Sequence, residues 1–135
     1  MTEEQSMVRE FHRHFGAAVN DRPTWCGEDV HRLRVALIEE ELAEFRNAGE
    51  AHDMVEIADA LADLLYVVYG AGVTYGIDLE PIFREIHRSN MSKGDPKVVC
   101  RPDGKVLKGD NYAPPDVAAL VAAQRGPVAA AAQAS

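Results

Sequence analysis

Two acidic rows could do chemistry: Glu39-Glu40-Glu41-Leu42-Ala43-Glu44, and further on Glu56-Ile57-Ala58-Asp59-Ala60-Leu61-Ala62-Asp63. On a helix turning about 100° per residue, Glu40, Glu41 and Glu44 share an arc of roughly 100° beside the apolar stripe Ile38, Leu42 and Phe45. Glu39 points away from it. Glu56, Asp59 and Asp63 share an arc of roughly 60°, beside Ile57, Leu61, Leu64 and Val68. If the two stripes pack together, the acidic edges meet. Like charges about 4 Å apart repel by about 4 kcal/mol per pair at an effective dielectric near 20, so such an arrangement requires neutralisation. Raised pKa values could supply it, but Mg²⁺ or Mn²⁺ does so more completely, because hard cations take oxygen ligands and keep positions open for phosphate oxygens. For either row alone the alternative is a solvated helix face.

The elements that must position these rows follow from periodicity. Met7, Val8, Phe11, Phe15 and Val19 predict a first helix from Glu4 to about Asn20. A loop with the only tryptophan, Trp25, precedes a second helix from about Glu28 to Ala48, with Gly49 suited to its left-handed cap. Asp53 and Glu56 resemble a capping box opening a third helix that ends near Gly76. Asp78 suits the cap of a fourth, striped with Leu79, Ile82, Phe83 and Ile86 and stopping by Asn90. Val98-Val99-Cys100 and Val106-Leu107 flank Pro102-Asp103-Gly104, which predicts a small β-hairpin. From Asp116 the chain is mostly alanine and valine, a short helix followed by a frayed, low-complexity end. The expected division is a domain over 1–116 and a tail over 117–135.

Composition narrows the class. The chain has 135 residues, a length that suits one domain. Its longest charge-free stretch, Leu64 to Ile77, falls short of the roughly 20 apolar residues of a bilayer span, so no membrane helix is expected. The net charge of -8 opposes a broad nucleic-acid-binding face. An acidic N-terminus and two widely separated cysteines, Cys26 and Cys100, fit a reduced, cytoplasmic protein.

Glu40-Glu41-x-x-Glu44 followed by Glu56-x-x-Asp59 resembles the E-E-x-x-E … E-x-x-D signature of the all-α nucleoside triphosphate pyrophosphohydrolases, which include MazG, dimeric dUTP diphosphatases and phosphoribosyl-ATP pyrophosphohydrolase. Asp63-Leu-Leu-Tyr-Val-Val-Tyr-Gly70, His87-Arg-Ser-Asn-Met-Ser-Lys93 and Lys105-Val-Leu-Lys-Gly-Asp-Asn-Tyr112 are similar to the MazG-like dUTP diphosphatase branch. The resemblance runs from about Phe11 to Asp116. It departs at Ala60, where several branches carry the glutamate paired with an aspartate in the position of Asp63. Either Glu56 with Asp59 or Asp59 with Asp63 is then the working acidic pair, and Glu56 also has a capping role open to it.

The resemblance implies an antiparallel four-helix-bundle-like MazG fold and cleavage of the α–β bond of a nucleoside triphosphate, dUTP favoured, to give the monophosphate and pyrophosphate. Glu41, Glu44, Glu56, Asp59 and Asp63 are the candidate ligands of one to three Mg²⁺ or Mn²⁺ ions, and Glu40 the candidate base. Lys93 and Lys108 are candidates for phosphate contacts, Asn90 for phosphate or sugar, and Tyr112 and Trp25 for the base or ribose. The five histidines fit surface or packing positions better than ligation. Apolar stripes on so short a chain imply a homodimer or homotetramer. A di-metal oxidative bundle would need two Glu-x-x-His pairs, and only Glu28-Asp-Val-His31 has that spacing. The non-enzymatic alternative is a helical nucleotide-binding or dimerisation module.

Overall fold

The computed structural model describes residues 1–94 and 100–127. These residues form helices α1 (Glu3–Phe15), α2 (Glu28–Glu50), α3 (Met54–Tyr75), α4 (Leu79–Met91) and α5 (Val117–Arg125), with no strand among them. The chain divides into two compact units, Met1–Leu79 and Glu80–Ser135.

In the first unit α3 packs against both α1 and α2. Asp53 opens α3 by accepting the backbone N–H groups of Val55 and Glu56, each at 3.1 Å, which satisfies donors that a helix start otherwise leaves bare. The reciprocal half of a capping box does not form: the Asp53 N–H donates to the Ala48 carbonyl instead. That bond also explains where α2 stops. Gly49 stays helical and His52 takes the left-handed turn at φ 53°, so the helix runs past Ala48, the expected end, to Glu50.

The first helix is shorter than its periodicity predicts. Gly16 turns left-handed at φ 72° and donates to the His12 carbonyl, leaving Val19 in the following loop. The buried face of α1 is Gln5, Val8 and His12, whereas Met7, Phe11 and Phe15 are exposed. Gln5 can be buried because its amide is satisfied at both ends: Nε2 donates to Ile77 O at 2.7 Å and Oε1 accepts from Leu79 N at 3.0 Å. Phe11 packs edge-on against Tyr66 of α3 with ring centroids 5.6 Å apart.

The loop between α1 and α2 is strapped onto the end of α3. Asn20 Nδ2 donates to Thr74 O at 2.7 Å, and the Thr24 N–H to Tyr75 O at 2.9 Å. Gly76 ends α3 at φ 71°, and any side chain there would overlap the Arg22 carbonyl, so both conformation and space demand glycine. By length and composition alone, Met54–Tyr75 would also suffice to cross a bilayer, beyond what the charge-free stretch suggested. Its three carboxylates and its packing on α1 and α2 fit a helix of this unit instead.

In the second unit α4 carries a bidentate Arg88–Glu85 pair at 2.9 and 2.7 Å, and Glu85 also accepts the Asp116 N–H at 3.1 Å. Asp116 caps α5 by accepting from Ala119 N. Where a hairpin was expected, the described residues hold one antiparallel bridge, Cys100 with Val106, closed by a turn at Gly104. Val98, Val99 and the low-complexity end beyond 127 lie outside the described residues.

Candidate active site

Helices α2 and α3 run antiparallel, with Glu41 beside Asp63 and, two turns away, Arg34 beside Gly70. The inward face of α2 is Val30, Arg34, Ile38, Glu41, Phe45 and Ala48; that of α3 includes Ile57, Ala60, Asp63, Val67, Gly70 and Thr74. The apolar stripes read from the sequence are therefore rotated. Leu42, Leu61 and Val68, expected to fill the seam, are exposed in this chain, while Ile38, Phe45, Ile57 and Leu64 of the same stripes are half-buried. Glu41 and Asp63 occupy inward positions in their place.

Glu41, Glu44 and Asp63 each offer a carboxylate oxygen, all within 4.8 Å of one another. Glu41 Oε2 is sealed from solvent and has no hydrogen-bond partner. Loss of water holds the Glu41 carboxyl above its ordinary pKa, and the charges of Glu44, Asp63 and Glu40 push it the same way. A sealed, unpartnered acceptor amid like charges, with only oxygen donors around it, matches the ligand chemistry of a hard divalent cation. Glu40 lies exposed beside the trio in sequence. Glu56 and Asp59 are exposed and stand outside the trio, so of the two acidic pairs left open by the sequence, Asp63 is the α3 member brought to Glu41.

Trp25 lies in the loop before α2, 60 % exposed, and stacks on Tyr75 at 6.1 Å with the rings inclined by 14°. His31 lies 5.3 Å from the indole and its Nδ1 bonds the Tyr75 hydroxyl at 2.6 Å. That bond engages the ring nitrogen of the single Glu-x-x-His pair in packing. The other four candidates belong to the second unit. Lys108 Nζ sits 4.9 Å from the Tyr112 ring centroid, a cation–π contact; Lys93 O accepts the Gly109 N–H; Asn90 is exposed near the end of α4.

The sequence reading passed over Arg34, whereas His12 takes the packing position expected of a histidine. Arg34 is 9 % exposed and His12 3 %. The sequence holds only a partial signal: Arg34 lies four residues after Val30 and four before Ile38, a spacing that marks an inward charge once that face of α2 is known. Burial holds the Arg34 guanidinium below its ordinary pKa, while the Tyr75 phenol pulls the other way.

Residues 8–90, well over half of the chain, match the model of the phosphoribosyl-ATP pyrophosphohydrolase family, one of the all-α nucleotide pyrophosphohydrolases. The chain belongs to that family. It is also 40 % identical over 77 residues to uncharacterized protein L479 of Acanthamoeba polyphaga mimivirus, a match covering 54 % of this chain and 31 % of that protein. The chain thus corresponds to about a third of its viral relative. The family points to a hydrolase acting on a nucleotide pyrophosphate bond.

Proposed function

We propose that the protein is a divalent-cation-dependent nucleoside triphosphate pyrophosphohydrolase that converts dUTP to dUMP and pyrophosphate, clearing the nucleotide from the cellular pool. The observation that carries this reading is the convergence of Glu41, Glu44 and Asp63 within 4.8 Å, with one Glu41 oxygen sealed and unpartnered. These three residues would hold Mg²⁺ or Mn²⁺. When bound, the cation supplies positive charge for phosphate oxygens and lowers the pKa of a coordinated water. Glu40, exposed and one residue from the trio, takes the proton of the attacking water. Attack falls on the α-phosphorus, the bond to the bridging oxygen breaks, and pyrophosphate leaves.

Preference for dUTP over phosphoribosyl-ATP rests on the similarity of His87–Lys93 and Lys105–Tyr112 to the dUTP diphosphatase branch. Asn90, Lys93, Lys108 and Tyr112 remain substrate-binding candidates on that ground. Trp25 is the candidate for the base, because an exposed indole backed by Tyr75 and His31 offers a flat, supported surface. Exposed Leu42, Leu61, Leu65 and Val68 support assembly as a homodimer or homotetramer. The proposed setting is cytoplasmic, with both cysteines free and no nucleic-acid or membrane partner.

The test is a panel of dUTP, dCTP, dTTP, ATP and phosphoribosyl-ATP with Mg²⁺ or Mn²⁺, scoring pyrophosphate against orthophosphate. Pyrophosphate release from dUTP, lost at least a hundredfold in Glu41→Gln, is expected. Orthophosphate release, or full activity of Glu41→Gln, would overturn the reading.

A further inference from the structure

Among the described residues, two buried side-chain atoms lack any hydrogen-bond partner: Glu41 Oε2 and Arg34 Nε. They belong to opposite charges on the same helix. A step of seven residues is nearly two full turns, so Arg34 and Glu41 lie on one face of α2 about 10.5 Å apart along its axis. Their neighbours on α3, Gly70 and Asp63, are also seven residues apart, so both ends open on one seam. That spacing is too long for Arg34 to serve as the counterion of Glu41.

Apart from the Tyr75 phenol, nothing described in the chain supports the Arg34 charge. No carboxylate pairs with it and no acceptor bonds its guanidinium, although the residue is more than nine-tenths buried. His12 Nδ1 is committed to Ala18 O at 2.9 Å. Its Nε2 and Arg34 Nη1 both approach the space above Gly70, 3.1 and 3.0 Å from where a Cβ would sit. Arg34 Nε is sealed and unpartnered, and the terminal nitrogens, which carry no hydrogen bond either, form the less enclosed edge of the fork, the edge that would meet an anion. A guanidinium withdrawn from water without a partner is strongly disfavoured, and its fork of donors matches phosphate oxygens.

We infer that Arg34 is a phosphate-binding residue that receives the far end of a polyphosphate whose near end is held at Glu41, Glu44 and Asp63. This inference rests on the proposed nucleotide reading and adds to it a selection for length. One ligand with a cation-bound end and a bare anionic end satisfies both orphaned groups at once. Selection for length follows from the separation of nearly two turns, because the ligand must span from the trio to the fork. Gly70 is part of the device, because a Cβ there would stand 3.0 Å from Nη1 and press the fork aside by a few tenths of an ångström.

The experiment is calorimetric titration of wild type, Arg34→Met, Arg34→Lys and Gly70→Ala with inorganic pyrophosphate in Mg²⁺. Mn²⁺ affinity by electron paramagnetic resonance, apo thermal stability and oligomeric state are followed in parallel. Arg34→Met is expected to weaken pyrophosphate binding at least tenfold, keep Mn²⁺ affinity within twofold, and raise the apo melting temperature by removing an unpaired buried charge. Arg34→Lys recovers part of the affinity, and Gly70→Ala loses affinity with the charge still present. Unchanged pyrophosphate binding in Arg34→Met, or no binding by wild type, overturns the inference. So does a lowered apo melting temperature, which would mean a structural role. Dissociation of the oligomer in Arg34→Met would also overturn it by making a carboxylate of a second copy the counterion. Wild type that cleaves dUTP but shows no dependence on Arg34 leaves the proposed function standing. Wild type that binds pyrophosphate through Arg34 but cleaves none of the nucleotides removes the function and keeps the site.

Discussion

Glu41 of α2 and Asp63 of α3 reach across the seam of two antiparallel helices and bring carboxylate oxygens within 4.8 Å of each other and of Glu44. The acidic trio therefore couples folding to charge. Glu41 is held above its ordinary pKa by burial first and by its acidic neighbours second. The folded chain binds this proton more tightly than the unfolded chain does. The stability that the group contributes is complete below the ordinary carboxylate pKa and is lost as pH rises through the raised value. In EDTA, melting temperatures should fall with pH across this window in wild type, and the slope should be shallower in Glu41→Gln. Mn²⁺ should restore wild type at neutral pH and leave Glu41→Gln nearly unchanged. Thermal melts from pH 4 to pH 7 check both.

The aspartate register gives a second expectation. Asp63 is in the trio, while Asp59, one turn earlier on α3, is exposed and outside it. Asp63→Asn should weaken Mn²⁺ binding at least tenfold, in line with removal of a charged ligand. Asp59→Asn should change it less than threefold. Paramagnetic titration of the two variants separates the registers, and an equal loss in both would mean that the cation site extends along α3.

How far such assignments are legible in the sequence depends on what fixes each residue. Asp53 and Gly76 could be read as the ends of α3 because a side-chain cap and a left-handed turn are local devices with few suitable residues. The end of α2 could not, since His52 takes the turn in place of Gly49 for the sake of a bond between Asp53 and Ala48. Periodicity correctly placed acidic rows beside apolar ones but misjudged which of them turns inward. Of the expected stripe, Ile57 and Leu64 are half-buried while Leu61 and Val68 are exposed, because Ala60 and Val67 turn inward in their place, and one-dimensional spacing does not rank overlapping stripes on one helix. The same ambiguity hid Arg34, which reads as a surface residue until the inward face of α2 is known.

Glu85 offers a test confined to the second unit. Two hydrogen bonds from Arg88 and one from the Asp116 N–H lower its pKa to about 2. The folded state here binds the proton more weakly than the unfolded state. The contribution is present above the ordinary carboxylate pKa and is lost as pH falls towards about 2. Glu85→Gln should abolish this acid dependence and speed exchange of the Asp116 amide hydrogen at neutral pH. Hydrogen-exchange NMR from pH 3 to pH 7 reads it, and an unchanged Asp116 protection factor would show that the start of α5 is held by other means.

The single tryptophan makes the base site observable. Trp25 is backed on one side by Tyr75 and flanked by His31, so a base arriving on the indole would stack without the protein reorganising. Stacking a nucleobase on an aromatic side chain is worth about 1–3 kcal/mol by alanine substitution, which corresponds to roughly a 5- to 150-fold change in affinity. Titration with dUMP in Mg²⁺ should quench the Trp25 fluorescence, whereas inorganic pyrophosphate should not. Trp25→Ala should raise KM for dUTP within that range and leave the affinity for pyrophosphate as it was, because the indole has no role at the phosphate end. If Trp25→Ala weakened both ligands equally, the loop that carries it would be supporting the whole site through its bonds to Thr74 and Tyr75, and the base would have to be recognised elsewhere.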